Sequence, residues 1–342
     1  MKARILMAVI TIAALVSAPF SFAADEDIGI FETIHASSVS FEDTTAAVDA
    51  AFASSGLVLH ATHDVRVPES PHKARVYVLT SPAYADAARE ESARTISAQI
   101  LRMAVYTQGD DQKTYINMAN PVAHAMVFYT DSANYDALVT AAGAAAAEIR
   151  ELVATVPGDA MSVQQSPMRS EKHYRKFKGD GPARMMAKFR TFEKSQLLIT
   201  EDSAANFDAV VEQVIAALSA SDVAGPEEST GWEQVAKIGL RDDAMYIGIT
   251  NPYIEDRMVQ INSRFRSDDK SDLSPYPGVD HVAALPAEVL ILKEGDRTLV
   301  LHYGQMWRMQ LYFWDSGYRA FTANVGVPSS IANSIEDTIS AD

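Results

Sequence analysis

The chain contains no cysteine and only three tryptophans in 342 residues. Without cysteine there is no disulfide, no thiolate metal site, no thiol nucleophile and no lipid-bearing N-terminal cysteine, so stability rests on packing. No apolar run approaches the roughly 20 residues that span a bilayer, so no membrane helix is expected. The sequence also lacks a Gly-x-Ser-x-Gly elbow, a glycine-rich phosphate loop and a dinucleotide fingerprint, which disfavours nucleophilic hydrolases and nucleotide enzymes. Basic residues are scarce: 29 Lys and Arg face 45 Asp and Glu, a net charge of −16. Such a balance argues against nucleic acid or an anionic membrane as a general partner.

What the chain does have begins with Lys2 and Arg4, an apolar stretch from Ile5 to Val16, Pro19, and Ser21-Phe22-Ala23 before Ala24-Asp25. A basic start, a short apolar centre and a small-x-small site predict a secretory signal peptide, residues 1–23, cut after Ala23 or Ala24. Removal takes two basic residues and no acid, leaving 27 against 45, or −18. The mature protein is therefore expected to be soluble and periplasmic or secreted. About 320 mature residues suit about two domains.

The stretch Leu285 to Asp315 organises the rest. Ala287–Leu292 is apolar at nearly every position, Glu294-Gly295 makes a turn, and Thr298–Tyr303 returns. Arg308–Trp314 alternates, with Met309, Leu311 and Phe313 on one face, which predicts a third strand. Earlier, Ile28–Ser37 predicts a strand, and Ser40 with Asp43 forms a capping box before a helix that ends at Gly56. Leu57–Val65 and Ala74–Thr80 predict a strand pair, and Tyr84–Ala93 a helix. Ile100–Tyr106 and Thr114–Met118 predict a hairpin, His124–Tyr129 a further strand and Tyr135–Leu152 a helix.

The order then recurs. Phe41–Gly56 lies over a second amphipathic helix from Phe207 at an offset of 166, Val76–Pro82 over Tyr246–Pro252 at 170, and Thr114–Asp131 over Thr298–Asp315 at 184. Offsets that grow fit a duplication with insertions, the last placed between Asn262 and His281. The expected fold is α+β: two tandem copies of an α/β sandwich module, each an antiparallel sheet covered by helices, over about 27–157 and 195–342. Residues 158–194, with Lys172, Arg175, Lys176, Lys178, Arg184, Lys188, Arg190 and Lys194, are expected as a basic linker.

Thr250-Asn251-Pro252-Tyr253, the later Leu285-Pro286-Ala287-Glu288-Val289 and Gly-Asp in the hairpin turn resemble the domain of unknown function 302 family (DUF 302). Ser81-Pro82 and Asn120-Pro121 are the matching places in the first copy. The second copy departs with Gly304-Gln305 in place of Asn120-Pro121, and the first with Ser97-Ala98-Gln99, without proline, before its hairpin. The resemblance implies a compact α+β sandwich in two halves. It implies no chemistry, since the family has no established activity.

Candidate sites follow from residue type. Asn251, Pro252 and Tyr253 form a strand-end turn, where binding groups concentrate, although Asn-Pro also forms turns on its own account. With the aromatic cluster Trp307, Tyr312, Phe313, Trp314, Tyr318 and Phe321, they are the candidate ligand contacts. His302, Met306 and Met309 have a spacing that copper or haem iron can use, with Met118, His124 and Met126 as counterparts; Met309 serves equally as core filler. His60 and His63 point to opposite faces of a regular strand, and His72 follows them. No catalytic residue is identified. The leading expectation is a non-catalytic binding or accessory protein for an apolar or aromatic small molecule. The alternatives are a copper or haem carrier and a protein-interaction module docking through the basic linker. A tight polar triad buried where the halves meet would contradict the leading one.

Overall fold

The computed structural model describes residues 27–68, 70–177, 179, 195–220, 231–259, 278–314, 322 and 324–340. The expected signal peptide, most of the basic run beyond Phe177, Tyr318 and Phe321 lie outside these residues.

The fold is α+β, built on two antiparallel sheets. In chain order the first half runs β1 (Ile28–Ser37), α1 (Phe41–Phe52), β2 (Val58–Val65), β3 (Ala74–Thr80), α2 (Pro82–Ala87), a 3-10 turn (Ala93–Gln99), β4 (Leu101–Gln108), β5 (Lys113–Ala119), α3 (Pro121–Phe128), α4 (Tyr135–Val153), β6 (Gly158–Arg169) and α5 (Glu171–Arg175). The second runs β7 (Gln196–Ser203), α6 (Phe207–Ala220), β8 (Glu233–Arg241), β9 (Ala244–Thr250), α7 (Pro252–Val259), a 3-10 turn (Val279–Ala284), β10 (Ala287–Glu294), β11 (Arg297–Tyr303), α8 (Gln305–Phe313) and α9 (Val327–Ser340).

The strand order β2-β3-β4-β5-β1 of the first sheet reappears as β8-β9-β10-β11-β7 in the second. Irregularities recur at the same places. Pairing of β1 with β5 skips a residue between Thr33 and His35, and pairing of β7 with β11 skips one between Leu198 and Thr200. The edge pairs slip likewise between Leu59 and Ala61 and between Gln234 and Ala236. In register, Val78 sits beside Arg102 as Gly248 sits beside Glu288, and Met103 beside Met118 as Val289 beside His302. The offset between the halves thus rises to 186 at β4 and β10 and then drops to 184. The reason is that the second hairpin turns in two residues fewer, so the offsets do not simply grow.

Three expected elements take another form. Arg308–Trp314 continues a helix, not a third strand: Gln305, Trp307, Arg308, Gln310, Leu311 and Tyr312 are buried while Met306 and Met309 are only partly so, a pattern with neighbouring buried pairs that strict alternation does not give. His124–Tyr129 is likewise helical: Asn120 caps α3 by accepting from the Val122 amide at 3.1 Å, and Pro121 occupies the first turn. Gly158–Arg169, expected in the linker, is a sixth strand paired antiparallel with β1. Gly158 permits this pairing, since at φ +142° a Cβ there would lie 2.2 Å from the Ala36 carbonyl oxygen.

Helices α1 and α4 cover one face of the first sheet, and α6 and α9 cover the second. The other two faces look toward each other across the 3-10 turns. The turn at Val279–Ala284 packs on β3, β4 and β5 of the first half, and the turn at Ala93–Gln99 packs on β9 and β10 of the second. Both turns are buried, so the core continues from one half into the other.

A seam of charge closes one edge of the junction, where β2 meets β8 and α7. Glu255 accepts from His63 Nε2 at 2.6 Å, from the Arg66 amide at 2.7 Å and from Thr250 Oγ1 at 2.9 Å, and Arg66 pairs with Asp256. Burial alone would lower the His63 pKa, but the bond and charge of Glu255, with Glu233 and Asp64, raise it. A raised histidine stabilises fully below the unfolded pKa near 6.5, and the contribution is lost as pH climbs through the folded value. We expect the wild type to lose about 1 kcal/mol or less relative to His63→Asn between pH 6 and pH 9. Urea titrations at both pH values measure this, and a loss that is the same in the variant contradicts it.

Candidate functional site

Where the two sheets face each other, five polar side chains meet in one buried cluster. Arg102, second residue of β4, and Glu288, second residue of β10, occupy equivalent positions in the two halves and contact each other across the junction. Arg102 Nη1 donates to Glu288 Oε1 at 3.2 Å and to the Ala284 carbonyl at 3.3 Å, and its Nη2 donates to Tyr312 Oη at 2.6 Å. Arg308, from α8, donates to Glu288 Oε2 and to the carbonyls of Ala284 and Pro286. His124, at the place in α3 that Arg308 has in α8, completes the set.

The His124 ring is neutral. Burial, then the adjacent Arg102 and, more weakly, Arg308, push its pKa down to about 3, against the opposing pull of the Asn120 carbonyl. Its Nδ1–H donates to Asn120 O at 2.8 Å. Its Nε2 accepts from Tyr312 Oη at 2.8 Å and faces Arg102 Nη2 at 3.0 Å. The cluster therefore holds two guanidinium charges against one carboxylate, leaving one positive charge in excess inside the protein.

A tight polar cluster buried where the halves meet is the observation set above against a non-catalytic reading, and its inaccessibility is what answers it. Arg102, Glu288, His124 and Tyr312 are sealed, each at most 4% exposed, and both ring nitrogens of His124 are engaged. A general acid or base must come within hydrogen-bond reach of a substrate. Arg308 is the member that reaches a cavity.

That cavity lies in the second half, between α7, the 3-10 turn, α8 and the start of α9. It is half open to solvent: about 590 Å³ of space lies between its walls with open solvent counted, and about 80 Å³ as an interior cavity volume. Ile254, Met258, Leu285, Met309, Phe313 and Ile331 make most of its wall, and its charged lining is Arg257 and Arg308. An apolar concavity with a few convergent polar groups is the usual form of a small-molecule site.

The matching place in the first half is filled. Tyr84 follows the α2 cap as Ile254 follows the α7 cap, and Tyr129 stands to α3 as Phe313 stands to α8. Tyr84 and Tyr129 are both 1% exposed and meet edge to face, 6.5 Å between ring centres. The second half carries smaller or more open side chains at these two places, and the space between them stays unfilled.

Of the residues expected from sequence, Phe313 and Met309 line this cavity, and the others fall elsewhere. Asn251 is buried and caps α7 by accepting from the Ile254 amide at 2.9 Å, with Pro252 as first residue of the helix. Tyr253 is half-buried beneath the Arg257 guanidinium, 5.3 Å from its ring centre. Trp307 is buried among Tyr303, Phe128 and Phe177, Tyr312 belongs to the polar cluster, and Trp314 is half-buried just past α8. None of these six lines the cavity beside Arg308. His302 is buried, its Nε2 is 2.9 Å from Glu336 Oε1 of α9, and burial lowers its pKa despite that carboxylate. Met306 is half-buried, and Met309 lines the cavity. Among the described residues no group of three or more His, Asp or Glu side chains is placed to hold a metal ion, and no helix is long and apolar enough to cross a membrane.

None of the family models, curated proteins or solved structures compared with the chain matches it.

Proposed function

We propose that this is an exported, non-catalytic binding protein for a small apolar molecule, and that the ligand occupies the cavity between α7, α8 and α9. The observation that carries this reading is the difference between the halves. One strand order, with bulges at the same positions, supports an origin by duplication of one DUF 302-like unit. In that light Tyr84 and Tyr129 close the first copy, while Ile254 and Phe313 leave the second open. The sealed cluster beside the cavity supports a role in positioning the two copies and setting the local charge, with no substrate in contact with His124.

Closing the second cavity in the manner of the first tests the reading. Ile254→Tyr is expected to fold and to lower affinity for any small ligand of the native protein at least about ten-fold, since the ring takes the space the ligand needs. The readout is mass spectrometry of small molecules co-purified with native protein and variant, followed by calorimetry with those identified. Equal retention by the folded variant places the ligand elsewhere.

A further inference from the structure

We infer that the outer edge of β7 docks an extended segment of a partner protein, which joins the second sheet as a sixth strand and is basic toward its N-terminal end and apolar further on. The surface is separate from the cavity, whose wall includes no residue of β7.

The first observation is a template inside the chain itself. β1 holds the place in the first sheet that β7 holds in the second, and it is paired on both sides, with β5 and with β6. All ten of its residues are buried. β7 pairs with β11 on one side, and among the described residues no strand lies on the other. Six of its eight residues are exposed. Such an edge offers a row of N–H and C=O groups to any extended chain that reaches it.

The second observation is which side chains stand on the bare edge. With the shared bulge as reference, Leu197 and Leu198 take the places of Glu32 and Thr33. In the first sheet those two polar residues are 1% and 6% exposed, and Ser162 of β6 donates to Glu32 Oε1 at 2.9 Å. In the second sheet the two leucines are 39% and 52% exposed. Polar residues under a covering strand and apolar ones without it invert the usual order, and covering the leucines is what an added strand gains.

The third is charge. Glu201 and Asp202 take the places of Ala36 and Ser37, and β7 carries no basic residue. Glu201 pairs with Arg297, whereas Asp202 accepts from the Ser203 amide and the Asn206 side chain and meets no cation among the described residues. The pairing of β1 with β6 sets the partner's polarity: Gly158 and Asp159 lie opposite Ser37 and Ala36, and Val163 and Gln164 opposite Thr33 and Glu32. Transferred to β7, an antiparallel segment meets Asp202 and Glu201 with its first two residues and Leu198 and Leu197 with its sixth and seventh. Lysine or arginine suits the first two places, and valine or isoleucine the other two. A second copy of this chain fits less well, since self-pairing along β7 opposes two chains of net charge −16 and brings no base to Glu201 and Asp202.

The test uses the full chain and a fluorescein-labelled peptide, Lys-Arg-Thr-Ser-Thr-Val-Val-Thr with an amidated C-terminus, titrated by fluorescence anisotropy at pH 7. The peptide is expected to bind with Kd below about 100 µM, and the same residues in reversed order at least about ten-fold more weakly. Leu198→Lys changes an exposed residue and is expected to fold and to weaken binding at least about ten-fold. Hydrogen exchange of the outward amides of β7 should slow when the peptide is added. No binding at millimolar concentration overturns the inference, as does equal binding of the two orders, which is charge attraction alone. Binding that survives Leu198→Lys overturns the placement. A native dimer at micromolar concentration that Leu198→Lys dissociates gives the edge to a second copy, and outward amides of β7 already protected in the free monomer show that the chain covers its own edge; either result overturns the partner.

Discussion

Glu288→Ala is expected to destabilise the protein by about 3–5 kcal/mol, the largest effect of any single substitution at the junction. The carboxylate is 3% exposed and accepts from Arg102 on one oxygen and Arg308 on the other. Removing it leaves two buried guanidinium groups beside one another, with backbone carbonyls and a tyrosine hydroxyl as their partners. The control is Arg102→Met. It forfeits the bonds to Tyr312, the Ala284 carbonyl and Glu288 Oε1 but keeps the Glu288–Arg308 pair and brings the cluster to neutrality. It should therefore cost at least about 1 kcal/mol less than Glu288→Ala, although it removes the larger side chain. Urea unfolding of both variants decides the matter. If Arg102→Met proves the more damaging, packing rather than charge governs the cluster, and the excess positive charge loses its energetic meaning.

The sequence disclosed the sheets and hid the site for identifiable reasons. Strands β3, β4, β10 and β11 were legible because they are buried on both faces and so read as continuous apolar runs. The helices α3 and α8 were not, because short stretches such as Met309, Leu311 and Phe313 alternate by accident. The deciding features are a cap at Asn120 and burial of neighbouring pairs such as Trp307-Arg308. Strand β6 was masked by its composition, for a strand paired only along one side, with Pro167 near its end, need not carry an apolar stripe.

The cluster left two traces in the sequence, Glu288 inside Ala287-Glu288-Val289-Leu290 and Arg102 inside Leu101-Arg102-Met103-Ala104, each a charge where a central strand has no room for one unless it is paired. They lie 186 residues apart, their partner Arg308 is on a helix, and only the packing of two sheets brings them together. The cavity left none, because it is made by what Ile254 and Phe313 fail to fill. That becomes visible once Tyr84 and Tyr129 are set against them in register.

Acid should unfold the wild type more steeply than it unfolds His124→Gln. A neutral histidine whose folded pKa is depressed stabilises fully above the unfolded pKa, near 6.5, and the contribution disappears as pH falls toward the folded value, here about 3. Within that window the unfolded chain binds a proton that the native protein refuses, at about 1.4 kcal/mol per pH unit. Burial is the first cause of the depression, and the adjoining Arg102 and Arg308 charges add to it. Between pH 7 and pH 4.5 the wild type is thus expected to lose about 2–3 kcal/mol more than the variant, whose amide does not titrate. At pH 7 the variant is the less stable of the two, because it disturbs the bonds to Asn120 and Tyr312, so the two curves converge on acidification. Carboxylates that titrate in both proteins cancel in the comparison. Parallel curves from pH 7 to pH 4.5 would show that His124 takes up its proton in the native state at an ordinary pH. The two arginines would then not be imposing their charge on it.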